Sequence, residues 1–288
     1  MKILVTGSDG QLGKTFRYNK ASFFNYTFCN KEDLNFLDQD KILNVLSNIN
    51  PQIIVNCAAY TAVDDAEKNE NLASKINFEA VDIISKWCKQ NGAFLIHFST
   101  DYIFDGKKNE PYNENDPPNP LSVYGKTKYF GEKAFLKSGC EGVCFRTSWV
   151  HSPFGKNFYL TMKNLFLQNQ SVKIVNDQFG VPTTTNFLVN ISNQILNQRI
   201  ENKNVPKIIH AVPSNYTNWY DFGIEIFKNL NKSEKNLVIN PKKIIPISSQ
   251  KYKQNAKRPK FSVLSNKMLK KNVDYNFKSW LDEHKLIY

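Results

Sequence analysis

The chain has 288 residues, 41% of them hydrophobic and 22% charged, which is enough for one large core or two smaller ones and is the composition of a soluble globular protein. The formal net charge is +12, but the basic residues are spread out rather than gathered in a tract interleaved with aromatics. Positive charge suits an anionic partner, be it nucleic acid, a membrane surface or a phosphorylated small molecule. Without such a tract nucleic acid is not expected, and a solvated surface of biased composition accounts for most of the charge. Cys29, Cys57, Cys88, Cys140 and Cys144 are scattered without a C-x-x-C pair, and no apolar run of about 18 residues occurs, so a disulfide framework, a zinc site and a membrane span are not expected.

Lys2–Thr6 is a short apolar strand, too short for a signal peptide, and with the scattered thiols it suggests a cytoplasmic protein. It runs into Gly7-Ser8-Asp9-Gly10-Gln11-Leu12-Gly13 and then a helix. Strand, glycine turn and helix open a dinucleotide-binding βαβ unit. The glycines permit the turn, let backbone approach a pyrophosphate, and let helix and strand pack closely. The helix N-terminus then presents free N–H groups to phosphate. The spacing is G-x-x-G-x-x-G, a variant of the usual fingerprint, and an ordinary glycine turn is the plain alternative.

Asn25–Cys29 reads as the second strand, followed by Asn30-Lys31 where an NAD site usually places an acid. Neutral-then-basic suits a 2′-phosphate, so NADPH is favoured, with NADH as the alternative. Gln52–Asn56 is the third strand, and the small residues Ala58 and Ala59 after it would let a flat ligand lie against backbone. One long helix is expected from Asp64 to Gln90, with Asn77 inside it despite its poor helix propensity. Ala93–Phe98 is a fourth strand, ending in Ser99-Thr100-Asp101-Tyr102, where hydroxyls face the ligand crevice of an open α/β sheet.

A Pro/Asn-rich loop then delivers the chain to Tyr124-Gly125-Lys126-Thr127-Lys128. On a helix, residues four apart share a face, so Tyr124 and Lys128 should point together. A phenol ionises near pH 10, and a nearby ammonium would lower that value and make it a usable proton donor. By itself this spacing recurs by chance in long helices. Gly142–Thr147 is the fifth strand, completing a doubly wound parallel sheet of Rossmann type. Beyond it come a helix at Phe158–Gln168, a strand at Val172–Val175, a helix at Asn186–Leu196, a strand at Lys207–His210 and a helix at Trp219–Leu230. Residues 1–150 are expected to form the nucleotide-binding domain, with 184–212 returning to it. Residues 151–183 and 213–288 are expected to form a smaller α/β substrate-binding part.

The combination resembles the extended short-chain dehydrogenase/reductase superfamily and, within it, the dTDP-4-dehydrorhamnose reductase family. The motifs that carry the resemblance include Ser99-Thr100-Asp101-Tyr102-Ile103-Phe104-Asp105-Gly106, Arg146-Thr147-Ser148-Trp149-Val150, Asn176-Asp177-Gln178-Phe179-Gly180 and Arg258-Pro259. It implies that Gly7, Gly10, Gln11, Leu12 and Gly13 hold the cofactor pyrophosphate. Asn30, Lys31, Asn35 and Phe36 would meet its adenine end, and Ala58, Ala59, Tyr60 and Ser99 would line it. Lys128 would hold the nicotinamide ribose, Thr100, Asp101 and Trp149 the sugar, and Tyr124 would be the general acid. Arg258 is a candidate for the substrate diphosphate, or else a surface salt bridge.

This chain departs from the family pattern at Asn35, His151-Ser152, Asn186-Phe187 and Lys14-Thr15, and no metal site is carried over. The implied reaction is hydride transfer from NADPH to the C4 ketone of dTDP-4-dehydro-L-rhamnose. Alternatives are a reductase for another dTDP-4-keto-6-deoxysugar, such as a talose type, and a non-catalytic nucleotide-binding regulatory subunit. A 4,6-dehydratase would place Glu after the Thr-Asp pair, where Tyr102 stands here. The partner expected is a dTDP-sugar, and a homodimer is an assembly open to the chain.

Overall fold

The structure is a computed structural model that describes residues 1–19, 21, 24–168, 170–233 and 237–286. Its first half alternates strand and helix: β1 (Lys2–Thr6), α1 (Gln11–Asn19), β2 (Asn25–Cys29), α2 (Gln39–Ile49) and β3 (Ile53–Asn56). Short helices α3 (Val63–Ala66) and α4 (Glu70–Ser74) follow, then a π-helical turn over Lys75–Glu79 and α5 (Ala80–Asn91). Next come β4 (Phe94–Thr100), α6 (Val123–Ser138) and β5 (Gly142–Thr147). The second half holds β6 (Val150–His151), α7 (Phe158–Gln168), β7 (Val172–Val175), β8 (Phe179–Gly180), β9 (Thr183–Thr184), α8 (Thr185–Ile200), β10 (Ile208–His210), β11 (Thr217–Asn218), α9 (Trp219–Ser233), β12 (Ile244–Ile247), α10 (Lys267–Asn272) and α11 (Trp280–Lys285).

The central sheet is parallel and six-stranded, in the order β10-β5-β4-β3-β1-β2. Strands covered on both faces read as continuous apolar runs, and Ile3, Leu4 and Val5 of β1 are all fully buried. The pleat sends Ile3 and Val5 into one core with Phe16 of α1 and Ile191 of α8. Leu4 enters the opposite core with Ile42, Ile84 and Trp87. A third core, built on Phe104, Phe166, Phe222 and Trp280, sits under the smaller sheets. Strand order reverses between β1 and β3, so the crevice for a ligand opens at the carboxyl ends of these strands.

The single helix expected over 64–90 is broken. Two short helices and the π-turn precede α5, and Asn77 is the reason. Its side chain accepts from Tyr60 N at 2.9 Å and donates to Tyr60 O at 3.0 Å and to Thr127 Oγ1 at 3.2 Å. The extra residue of a π-turn aims this amide sideways at a loop and a neighbouring helix, as such bulges often do beside functional sites. Strand β4 runs to Thr100, so Ser99 and Thr100 belong to the sheet itself rather than to the turn after it.

Candidate active site

Gly7 turns the chain at the end of β1 with φ +61°, and a Cβ there would lie 2.7 Å from the Ala58 backbone. A Cβ on Gly13 would lie 2.4 Å from Gly7 O, so α1 can start this close to the strand only with glycine. Gly10 is less crowded than these two, since a Cβ there would meet only Gly7 O at 3.2 Å. The first N–H groups of α1 have no intrahelical acceptors, and Gly10, Gln11 and Leu12 line a cavity of about 480 Å³. A second cavity of about 260 Å³ is lined by Gly7, Asn30, Lys31, Asn35, Phe36 and Ala58. Both share Gly10, Cys57 and Ala59, so they abut as one trough. A trough with a glycine backbone at its middle and a lysine at one end fits a dinucleotide.

Several expected contact residues have side chains engaged within the protein. The Gln11 side chain turns to the 152–157 segment: its Oε1 accepts from Ser152 Oγ at 3.0 Å and Asn157 Nδ2 at 2.9 Å. Tyr60 lines neither cavity, and its hydroxyl bonds Asp65. Ser99 reaches the larger cavity, but its hydroxyl donates to Glu132 at 2.5 Å. Asn35 Oδ1 accepts from Leu37 N at 3.1 Å and shapes its own turn.

Thr100, Tyr124 and Lys128 meet on the larger cavity. Ser122 caps α6 by accepting from Gly125 N at 3.2 Å. Gly125 and Gly131 let that helix press on its neighbours, because Cβ atoms there would lie 2.2 Å from Tyr102 O and Asn77 O. The Tyr102 and Tyr124 rings meet edge-on at 5.9 Å. Lys128 is buried and its ammonium donates to Phe98 O at 2.5 Å, which holds it over the end of β4. Burial lowers its pKa to about 8.

The expected effect of Lys128 on Tyr124 needs correction. Burial raises the Tyr124 phenol to about 12, with Asp101 also raising it, while a hydrogen bond from Thr100 is what acts in the opposite sense. Lys128 points at the carbonyl of Phe98 and not at the phenol. Asp101 is buried with both oxygens engaged, Oδ1 with Thr100 Oγ1 at 3.1 Å and Oδ2 with Ser262 Oγ at 2.5 Å. Arg258 is on neither cavity wall. It pairs with Asp64 and donates to Gln254 Oε1 at 2.8 Å.

A family model for the RmlD substrate binding domain matches residues 1–287. The chain belongs to that family. A dTDP-4-dehydrorhamnose reductase of Burkholderia thailandensis is 34% identical over 284 residues, covering 97% of this chain and 95% of the relative. A Streptomyces antibioticus protein named "probable dTDP-4,6-dihydroxy-2-methyloxan-3-one 4-ketoreductase" is 33% identical over 275 residues, covering 92% of this chain and 87% of its own length. Among solved structures, the Bacillus anthracis dTDP-4-dehydrorhamnose reductase in complex with NADP superposes with a TM-score of 0.91 at 30% identity, covering 99% of this chain and 98% of that one.

Family motifs left several neighbours of the site unread. Trp219, at the start of α9, stacks on Trp149 with centroids 3.5 Å apart and planes within 8°, and both rings line the larger cavity. Trp149 is left-handed, at φ +46°. Gly180 backs it so tightly that a Cβ would lie 2.5 Å from the indole. Lys156 lines the same cavity beside the glycine turn. Glu132, one turn beyond Lys128, ties Ser99 to a bidentate pair with Arg146, whose Nη2 lies 2.9 Å from Glu132 Oε2. Trp219, Lys156 and Glu132 lie outside the motifs read from the sequence, because their partners Trp149, Gln11 and Arg146 are not adjacent to them in the chain.

The departures from the family pattern are accounted for by packing. His151 is buried against His284, with burial holding its pKa near about 4, and Ser152 serves Gln11. Asn186 Oδ1 accepts from Asn19 Nδ2 at 2.9 Å, and Phe187 fills the core. Thr15 donates to Gln11 O at 2.9 Å and bonds Thr185 Oγ1. Among the described residues, no group of three or more His, Cys, Asp or Glu could hold a metal ion. No helix among them is long and apolar enough to cross a membrane.

Proposed function

We propose that this chain reduces the C4 ketone of dTDP-4-dehydro-L-rhamnose to give dTDP-L-rhamnose, a step of nucleotide-sugar biosynthesis, with NADPH as the reductant. The observation that carries the reading is the meeting of Thr100, Tyr124 and Lys128 on one cavity with the glycine turn. Bound nicotinamide would supply the hydride. As negative charge builds on the carbonyl oxygen, Thr100 donates a hydrogen bond to it and Tyr124 delivers the proton. Lys128, fixed by Phe98 O, binds the ribose. Lys31 and Asn30, on the second cavity, support NADPH over NADH through a 2′-phosphate contact.

The sugar is assigned to the wall formed by Trp149 and Trp219, with residues 151–183 and 213–288 as the substrate-binding part and 184–212 grouped with 1–150. Five free thiols suit the cytoplasm. A homodimer is the assembly to test by light scattering. Loss of the nicotinamide absorbance on adding enzymatically made dTDP-4-dehydro-L-rhamnose is the expected result, with dTDP-L-rhamnose identified by NMR. No oxidation of NADPH or NADH would refute the reading. The Streptomyces antibioticus relative favours one second reading, reduction of a different dTDP-4-keto sugar, and the same NMR spectrum would reveal it through the product's configuration.

A further inference from the structure

One hydroxyl at the end of β4 is engaged on two sides and needed on a third. Thr100 Oγ1 accepts from Tyr102 N at 3.1 Å, lies 3.1 Å from Asp101 Oδ1, and shares the larger cavity with the Tyr124 phenol. A threonine hydroxyl has a single proton to donate and two lone pairs with which to accept. A carboxylate at 101 can only accept, so it would draw that proton to Oδ1 and away from the substrate oxygen to which Thr100 is proposed to donate. The conflict disappears if the proton between Asp101 and Thr100 belongs to Asp101.

The surroundings of Asp101 suit a neutral acid. It is 2% exposed, and among the described residues no Lys or Arg forms an ion pair with it. The ionisable groups facing it are phenols, Tyr102 on its own turn and Tyr124 on α6, while Arg258 meets Tyr102 and not Asp101. Oδ2 is held by the Ser262 hydroxyl, which belongs to a segment of the smaller lobe whose N–H bonds Phe179 O at 3.0 Å. Ser262 therefore fixes which oxygen of Asp101 faces Thr100.

We propose that Asp101 works as an un-ionised acid that donates to Thr100 Oγ1 and is anchored through its other oxygen by Ser262, so that the Thr100 hydroxyl is aimed at the substrate carbonyl. Asp101 and Ser262 are then positioning residues, and the proposal rests on the reductase reading for the direction of the Thr100 bond and for its kinetic consequence. Burial raises the Asp101 carboxyl to about 7, which leaves it neutral on the acid side of that value.

The first test needs no turnover. Infrared difference spectra between the wild-type protein and Asp101→Asn should show a protonated-carboxyl carbonyl band at about pH 6 that is gone by about pH 9. Carboxylate bands alone at the acid end would overturn the proposal. In kinetics, Asn can donate to Thr100 and accept from Ser262 as the neutral acid does. Asp101→Asn should therefore lose no more than about tenfold in kcat and should lack the decline that wild type shows as pH rises through about 7. A loss on the order of a thousandfold at every pH would mean that the negative charge is needed, and would overturn it. Ser262→Ala should lower kcat roughly tenfold with KM unchanged, and Ser262→Thr should restore it; a change confined to KM would count against the anchoring role. A wild-type protein that reduces no ketone would refute the reductase reading, with the infrared result still deciding the state of Asp101.

Discussion

Replacing Asn77 by Leu keeps roughly the volume of the side chain and removes all its hydrogen bonds. Three are lost: two to the Tyr60 backbone and one to Thr127. Each net bond contributes about 1 kcal/mol, and a buried backbone group left without a partner costs about 1–3 kcal/mol. Asn77 is 1% exposed, so water cannot take over these roles. The destabilisation is at least about 3–4 kcal/mol, or a fall in Tm of roughly 5–7 °C or more for a chain of this size. Activity should fall further than stability explains, because the same amide fixes the loop after Ala59 and the helix that carries Tyr124 and Lys128. Thermal unfolding and steady-state kinetics at a temperature well below the transition separate the two effects. A destabilisation under about 1 kcal/mol with normal kcat would refute this account of the π-turn.

Gly13→Ala should abolish NADPH binding in a fluorescence titration, since its methyl would lie 2.4 Å from Gly7 O; unchanged affinity would show that the turn can relax. Gly180→Ala should push Trp149 off its stack and raise KM for the nucleotide sugar about tenfold while leaving NADPH affinity alone. Glu132→Gln should cost about 3–5 kcal/mol in urea unfolding, because it leaves the Arg146 guanidinium buried without its charge partner. Lys128 has a pKa lowered to about 8, so its charge is present below that pH and lost above it; wild-type kcat should fall as pH rises through about 8, and Lys128→Met should lose that limb along with about a hundredfold in rate.

The parallel sheet and the glycine turn were legible because local patterns specify them: apolar runs of four to seven residues, then glycines with no room for a Cβ. Tyr124 and Lys128 were legible for the same reason, since helical spacing fixes which side chains share a face. What lay beyond local pattern was the direction of polar side chains. Lys128 and Tyr124 share a face, yet the ammonium bonds a backbone carbonyl on β4 and burial raises the phenol. Arg258 carries a suitable charge, and Asp64, almost two hundred residues away, takes it. Trp149 and Trp219 face each other because β8, whose Gly180 backs Trp149, pairs with β11 just before Trp219. Asn77 stood out as a poor helix former, but nothing nearby in sequence revealed that its partners were Tyr60 and Thr127.

The Gln11 amide joins the glycine turn to residues 152–157, whose Lys156 stands on the wall of the larger cavity and which follow directly on Trp149 and Val150. A nucleotide held on the turn would stiffen a segment that also bounds the proposed sugar pocket. The ordering entropy of that wall would then be met at the first binding event and not again at the second. Linkage makes the effect mutual: to whatever degree cofactor tightens the hold on sugar, sugar tightens the hold on cofactor.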